Sequence, residues 1–131
     1  MRGIMGAMTD LFALGARRLD WLAFREATIA RNVANADTPG YRPQDVKGFE
    51  ETLASQATRL ARTNAAHFAE APGGGDPARV AQTQGWETTM SGNAVSLEQE
   101  LARSAETVRM AGVASATMKA FHRLALAAAK G

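Results

Sequence analysis

Apolar residues recur at three- and four-residue steps at Met8, Phe12, Leu19, Leu22, Ile29 and Val33, and the two missing places in that ladder are Gly15 and Glu26. Such spacing lays one apolar stripe along a helix. A helix is therefore predicted over about residues 7–35. At ~1.5 Å per residue it is roughly 40 Å long, beyond the usual globular helix and suited to a coiled coil. A second ladder starts at Leu97, passes through Leu101, Ala105 and Val108, then shifts phase to Met110, Val113, Phe121 and Leu124. Ser96 followed by Gln99 fits a capping box. Glu98 and Glu100 suit the positive pole of the first turn, and Lys119, Arg123 and Lys130 suit the negative pole at the other end.

Between these ladders, residues 46–90 are less regular. The stretch FEETLASQATRLA puts Phe49, Leu53, Ala57 and Leu60 at helical spacing and predicts one short helix. EAPGGGDP reads as a turn-rich linker, and the chain from there to Gly92 has no assignable period. The predicted fold class is all-α: two long terminal helices in an antiparallel coiled-coil hairpin, joined by a partly irregular, extended middle segment with one short helix. The corresponding limits are 1–36 for the first hairpin helix, 37–92 for the turn and middle region, and 93–131 for the second.

The first helix stops abruptly in NVANADTPGY. Pro39 presets the second position of a turn and Gly40 can take positive φ at the third, so Thr38–Tyr41 is expected to form a type II turn. Thr38 and Arg42 each precede a proline, which pushes both toward extended backbone and away from helix.

Two facing helices bury one seam. The residues assigned to helix packing or to assembly are Met8, Phe12, Leu19, Leu22, Ile29 and Val33 on the first helix, and Leu97, Leu101, Val108, Met118, Phe121 and Leu124 on the second. The opposite faces carry Leu11, Trp21, Phe24, Val113 and alanines, which are expected to stay wet in an isolated chain. Exposed apolar surface of that kind marks an interface.

Composition narrows the chemistry. Of 131 residues 46% are apolar, yet only 6% are aromatic and many of the rest are alanine, so a large private core is not expected. With no cysteine, neither a disulfide framework nor a thiolate metal site can form. His67 and His122 are the only histidines and have no zinc-site spacing. GGGDPAR lacks the Gly-Lys-Ser/Thr ending of a phosphate loop. No nucleophile signature is present, so no catalytic residue, metal or cofactor is assigned, and an enzyme acting on a small-molecule substrate is not expected. The net charge of +2 is spread along the chain, which disfavours nucleic acid. No stretch approaches the ~18 apolar residues of a membrane span, and the first residues lack a cleavable signal pattern. Two alternatives to an assembly subunit stand on residues alone: a small helical nucleic-acid binder, and a membrane-surface protein, for which Lys47, Lys119 and Lys130 make a thin polar face.

IARNVANADTPGYRPQDV after a long helix, matched by GNAVSLEQEL before another, resembles the flagellar basal-body rod protein family. The family pattern falls on Asn32, Ala34, Asn35, Thr38, Gly40 and Tyr41, with Pro39 inside it. Asp37-Thr38-Pro39 and Gly92-Asn93-x-Val95-x-Leu97-Glu98 resemble its proximal-rod members, and in the middle only Thr63 and His67 match. The chain departs from the family at Ala105-Glu106-Thr107 and Met110, where an asparagine and a tyrosine are common. It also lacks the Arg-x-Tyr-Glu-Ala-Asn element of other proximal rod proteins.

The resemblance implies a structural subunit of the bacterial flagellar basal-body rod, active in motility and torque transmission. Its terminal helices would form the inner coiled coil of a helical tube, and the Asn-rich turn would hand the chain outward. The implied partners are copies of itself, other rod proteins, and FliE with the membrane ring or export gate. The implied location is the periplasmic rod of the basal body, reached by type III export without a cleaved signal peptide.

Overall fold

The computed structural model describes residues 2–62 and 86–131. In chain order the elements are α1 (Arg2–Ala34), β1 (Gln44–Val46), α2 (Phe49–Arg62), β2 (Thr88–Met90) and α3 (Leu97–Lys130). The chain divides into two compact units, one of Met1–Asp45 with Met90–Gly131 and one of Val46–Thr89. The EAPGGGDP linker, Thr63 and His67 lie outside the described residues.

The first unit is a helix hairpin. Helices α1 and α3 have 33 and 34 residues, about 50 Å each at ~1.5 Å per residue. They run antiparallel. Phe12 meets His122 edge to face, Gly15 faces Met118, Glu26 meets Ser104 and Asn32 meets Glu100. The start of α3 is the predicted one: Ser96 is its N-cap and its Oγ accepts from the Gln99 amide. That bond satisfies one of the amide donors that every helix start leaves open.

Both gaps in the apolar ladder of α1 lie in the seam. A Cβ on Gly15 would come within 2.9 Å of Met118 Sδ and 3.0 Å of its Cγ, so the glycine makes room for the methionine. Glu26 Oε1 accepts from Ser104 Oγ at 2.6 Å. Gly15→Leu is therefore expected to destabilise the hairpin by about 1–3 kcal/mol through overpacking. Adding Met118→Ala should recover most of that loss. Thermal melts followed by circular dichroism test the pair, and equal melting of wild type and Gly15→Leu would remove the glycine from the seam.

The second helix buries a face that differs from its apolar ladder. Glu100 and Thr107 are fully buried, and Arg103, Ser104, Met110, Ala114, Ser115 and Met118 are half-buried on the same side. Leu97, Leu101, Val108, Phe121 and Leu124, assigned to helix packing or to assembly, are exposed at 38–66% and do not pack in the seam of the single chain. Val33, 40% exposed, is likewise outside the seam. Small side chains let the helices approach, and Ser104 and Thr107 among them are hydrogen-bonded there. Thr107 Oγ1, for instance, donates to the Arg103 carbonyl at 2.7 Å. A hydrogen-bonded polar group such as this loses little on leaving water.

On α1, Leu22 and Ile29 are buried, and Met8, Phe12 and Leu19 are half-buried. Trp21, expected on the wet face, is only 6% exposed. The guanidinium groups of Arg18 and Arg25 lie 4.8 and 5.6 Å from its ring centroid, a cation–π arrangement that covers the indole. Leu11 and Val113 are exposed as expected.

Strands β1 and β2 form a two-stranded sheet that the sequence reading does not contain. Ser91 N donates to Pro43 O and Lys47 N to Glu87 O, each at 2.8 Å. Those pairings fall in opposite order along the two segments, so the ribbon is antiparallel. In the second unit Phe49 and Trp86 pack with ring centroids 6.0 Å apart, and both are buried with Val46. Lys47 Nζ pairs with Glu87, and that hydrogen bond, helped by the carboxylate's charge, holds the ammonium above its ordinary pKa. Helix α2 covers the segment for which the Phe49-Leu53-Ala57-Leu60 spacing predicts a helix.

Candidate functional site

The end of α1 is built to stop and to turn. Two backbone bonds, from Asn35 N to Arg31 O and from Ala36 N to Val33 O, close the last turn. Asn35 Nδ2 adds a second bond to the same Arg31 O at 2.9 Å. Thr38 Oγ1 then donates to Asn35 Oδ1 at 3.2 Å. The Tyr41 amide donates to Thr38 O at 3.2 Å, and Gly40 between them has φ +75°. Such a bond with positive φ at the third residue is the type II arrangement. Pro39 and Gly40 are exposed.

Asn32 sits at the centre. It is completely buried, and its side-chain amide makes four hydrogen bonds. Nδ2 donates to Gln44 O at 2.7 Å and to Glu100 Oε2 at 3.1 Å. Oδ1 accepts from Gln44 N and from the Tyr41 hydroxyl, both at 3.0 Å. An asparagine amide offers two donors and two main acceptor directions, so its capacity is filled. The two bonds to Gln44 make the amide imitate a neighbouring strand. Helix α1, the turn, β1 and the start of α3 thus meet on one residue.

Glu100 completes the cluster. Only 2% exposed, it also accepts from Arg103 Nη1 at 3.1 Å. A buried carboxylate is costly unless paired and hydrogen-bonded, and here each oxygen has a partner. The sequence reading placed Glu100 by its fit to the helix pole and missed its bond to Asn32. Nearby, Arg25 lies 3.6 Å from Asp45 and 3.8 Å from Glu106, tying the turn segment to both helices.

Of the turn-motif residues, Asn32 and Tyr41 meet in this cluster, while Asn35, Thr38, Pro39 and Gly40 shape the turn that brings Tyr41 back. The arrangement clamps backbone: the Asn32 amide bonds both backbone groups of Gln44. Among the described residues no group of three His, Cys, Asp or Glu could hold a metal ion, and no helix is long and apolar enough to cross a membrane.

The turn has its own test. A Cβ on Gly40 meets nothing within 4 Å, so the cost of a substitution there is conformational alone. Gly40→Val is expected to cost at least ~1–2 kcal/mol, because left-handed geometry strains an ordinary L-residue. Gly40→Asn should lose less, since Asn visits that region, and Thr38→Ser should be nearly silent. Denaturant melts of the three variants give the order. Equal stability of Gly40→Val and Thr38→Ser would show that the glycine is only a spacer.

The second feature is the outward apolar row on α3, in which Leu97, Leu101 and Val108 are 50%, 66% and 61% exposed and Val113 and Leu124 continue at 63% and 64%. Ile4 and Met5 on α1 are similarly open, at 69% and 70%. Exposed apolar rows of this extent are the kind of surface by which chains associate.

Residues 16–42, which span the second half of α1, the turn and Tyr41, match the family described as flagella basal body rod protein. Over 125 residues the chain is 36% identical to the flagellar basal body rod protein FlgB of Agrobacterium fabrum, covering 92% of this chain and 93% of that protein. It is also 35% identical over 82 residues to the flagellar basal body rod protein FlgB of Aeromonas hydrophila, covering 58% and 59% of the two chains.

Proposed function

Because the chain belongs to the flagellar basal-body rod protein family, in the group that includes FlgB, and is a structural subunit of the bacterial flagellar basal-body rod, we propose that its helix hairpin is the assembly module. In this reading the outward rows of α1 and α3 meet copies of the chain and neighbouring rod proteins. The Asn32 clamp fixes the angle at which the chain leaves the hairpin. FliE and the membrane ring or export gate lie on one side of the subunit, and the next rod proteins on the other. The subunit sits in the periplasmic part of the basal body, reaches it by type III export without a cleaved signal peptide, and passes torque along the rod without catalysing a reaction.

One observation carries this reading. Leu97, Leu101, Val108, Val113 and Leu124 of α3 are exposed, with Leu101 66% exposed. Burying apolar surface is worth roughly 25 cal/mol per Å². An assembly that covers this row regains what the single chain leaves in water. Leu101→Asp should therefore leave the circular dichroism and melting of the purified chain unchanged. In cells lacking the native subunit it should abolish swimming and incorporation into purified basal bodies, while the protein is still exported. Normal basal bodies containing the variant would remove this face from the assembly, and failure of the unaltered chain to enter basal bodies would remove the reading itself.

A further inference from the structure

The hairpin is electrically polar along its length. Past Glu106, α3 contains no acidic residue and carries Arg109, Lys119, Arg123 and Lys130, and the facing start of α1 sets Asp10 against Arg2, Arg17 and Arg18. Toward the turn the balance reverses. Residues 20–45 and 90–106 hold seven acids against Arg25, Arg31, Arg42 and Arg103. One end of the first unit is thus cationic and the other is on balance anionic.

Each end also has apolar relief. At the cationic end an open groove of about 380 Å³ runs between the helices, floored by Phe12, Leu19 and Met118 and rimmed by Lys119, His122 and Arg123. It is too open to enclose a small molecule, which binding pockets bury by roughly 70–90%. At the anionic end the first turns of α3 carry Leu97 and Leu101, 50% and 66% exposed, beside the exposed Glu98.

We propose that two copies dock head to tail, with Leu97 and Leu101 of one chain seated in the Phe12–Met118 groove of the next and Glu98 facing Lys119 and Arg123. This rests on the reading of the chain as a rod subunit and names one of the contacts by which copies meet. The complementarity lies between two different patches of one chain. The contact is therefore heterologous, and it propagates into a ring or a filament where a two-fold contact would stop at a dimer. Opposite charges at the two ends also set direction, since like ends repel.

The chain has no cysteine, which makes the test clean. Glu98→Cys and Arg123→Cys are made in separate chains, one carrying a size tag, and both are checked for wild-type circular dichroism. Oxidation at high protein concentration should cross-link the tagged chain to the untagged one in the mixture, and should give little dimer in either variant alone. Charge reversal supplies a second arm. Glu98→Arg should weaken self-association at least tenfold in sedimentation velocity, added salt should weaken the wild type in the same direction, and mixing Glu98→Arg with Arg123→Glu chains should restore pairing. Absence of the mixed cross-link, or dimers formed equally by single variants, overturns the proposal. If basal-body incorporation is intact while the cross-link is absent, this contact falls and the rod reading stands. A cross-link formed by a chain that never enters basal bodies gives the opposite division.

Discussion

Asn32→Asp will unfold the joint between helix and turn. The carboxylate keeps the shape of the amide but has no donor, so an oxygen then faces the Gln44 carbonyl across 2.7 Å and Glu100 Oε2 across 3.1 Å. Two carboxylates held in a buried cluster without a proton between them repel. Leaving a buried charge uncompensated costs about 3–5 kcal/mol, a large share of the roughly 5–15 kcal/mol by which a domain is stable. The expected result is a sharply lowered melting temperature in circular dichroism. Glu100→Gln in the same chain returns a donor to the site and should recover part of the loss, giving a coupling of about 0.5–3 kcal/mol in a double-mutant cycle. Additive losses would mean that the two side chains do not share the bond.

Leu22→Asp should be as damaging for a different reason. Leu22 is 1% exposed and sits in the α1 row that packs toward α3, so an aspartate there removes apolar burial and strands a charge without a partner. A loss of several kcal/mol is expected. The contrast with Leu101→Asp is the informative part. The first should fail as an isolated protein, with reduced helical signal and rapid hydrogen exchange across α1. The second should fail only in assembly. Wild-type melting of Leu22→Asp would show that α1 does not pack through this position.

The sequence carried the two long helices because their ladders run for many turns, and it carried the start of α3 because a capping box is a local signal at Ser96 and Gln99. It also exposed Gly15 and Glu26 as irregularities. Their purpose stayed hidden, since Met118 and Ser104 lie far along the chain. Which face of α3 lines the seam was not legible, because apolarity alone does not mark burial: the buried positions are Glu100 and Thr107, each with a polar partner. Trp21 was placed in water because it lies off the apolar ladder, and two arginines on its own helix cover it. The strands were missed because three residues give no period, although the prolines at 39 and 43 already indicated extended chain. Asn32 stood out as part of a motif, but its fourfold bonding depends on Glu100, 68 residues away.

The antiparallel ribbon sets the terms on which this chain can change length. The first unit's two segments end at Asp45 and begin again at Met90, and just inside those limits Ser91 N is hydrogen-bonded to Pro43 O. Exit and re-entry are neighbours whatever lies between them, so the intervening segment is a cassette plugged into a closed socket. Lengthening such a segment costs only the slowly growing entropy of a longer loop, ~0.6 kcal/mol for each doubling. The segment between Pro43 and Ser91 can therefore change length at small entropic cost while the hairpin and its joint remain as they are.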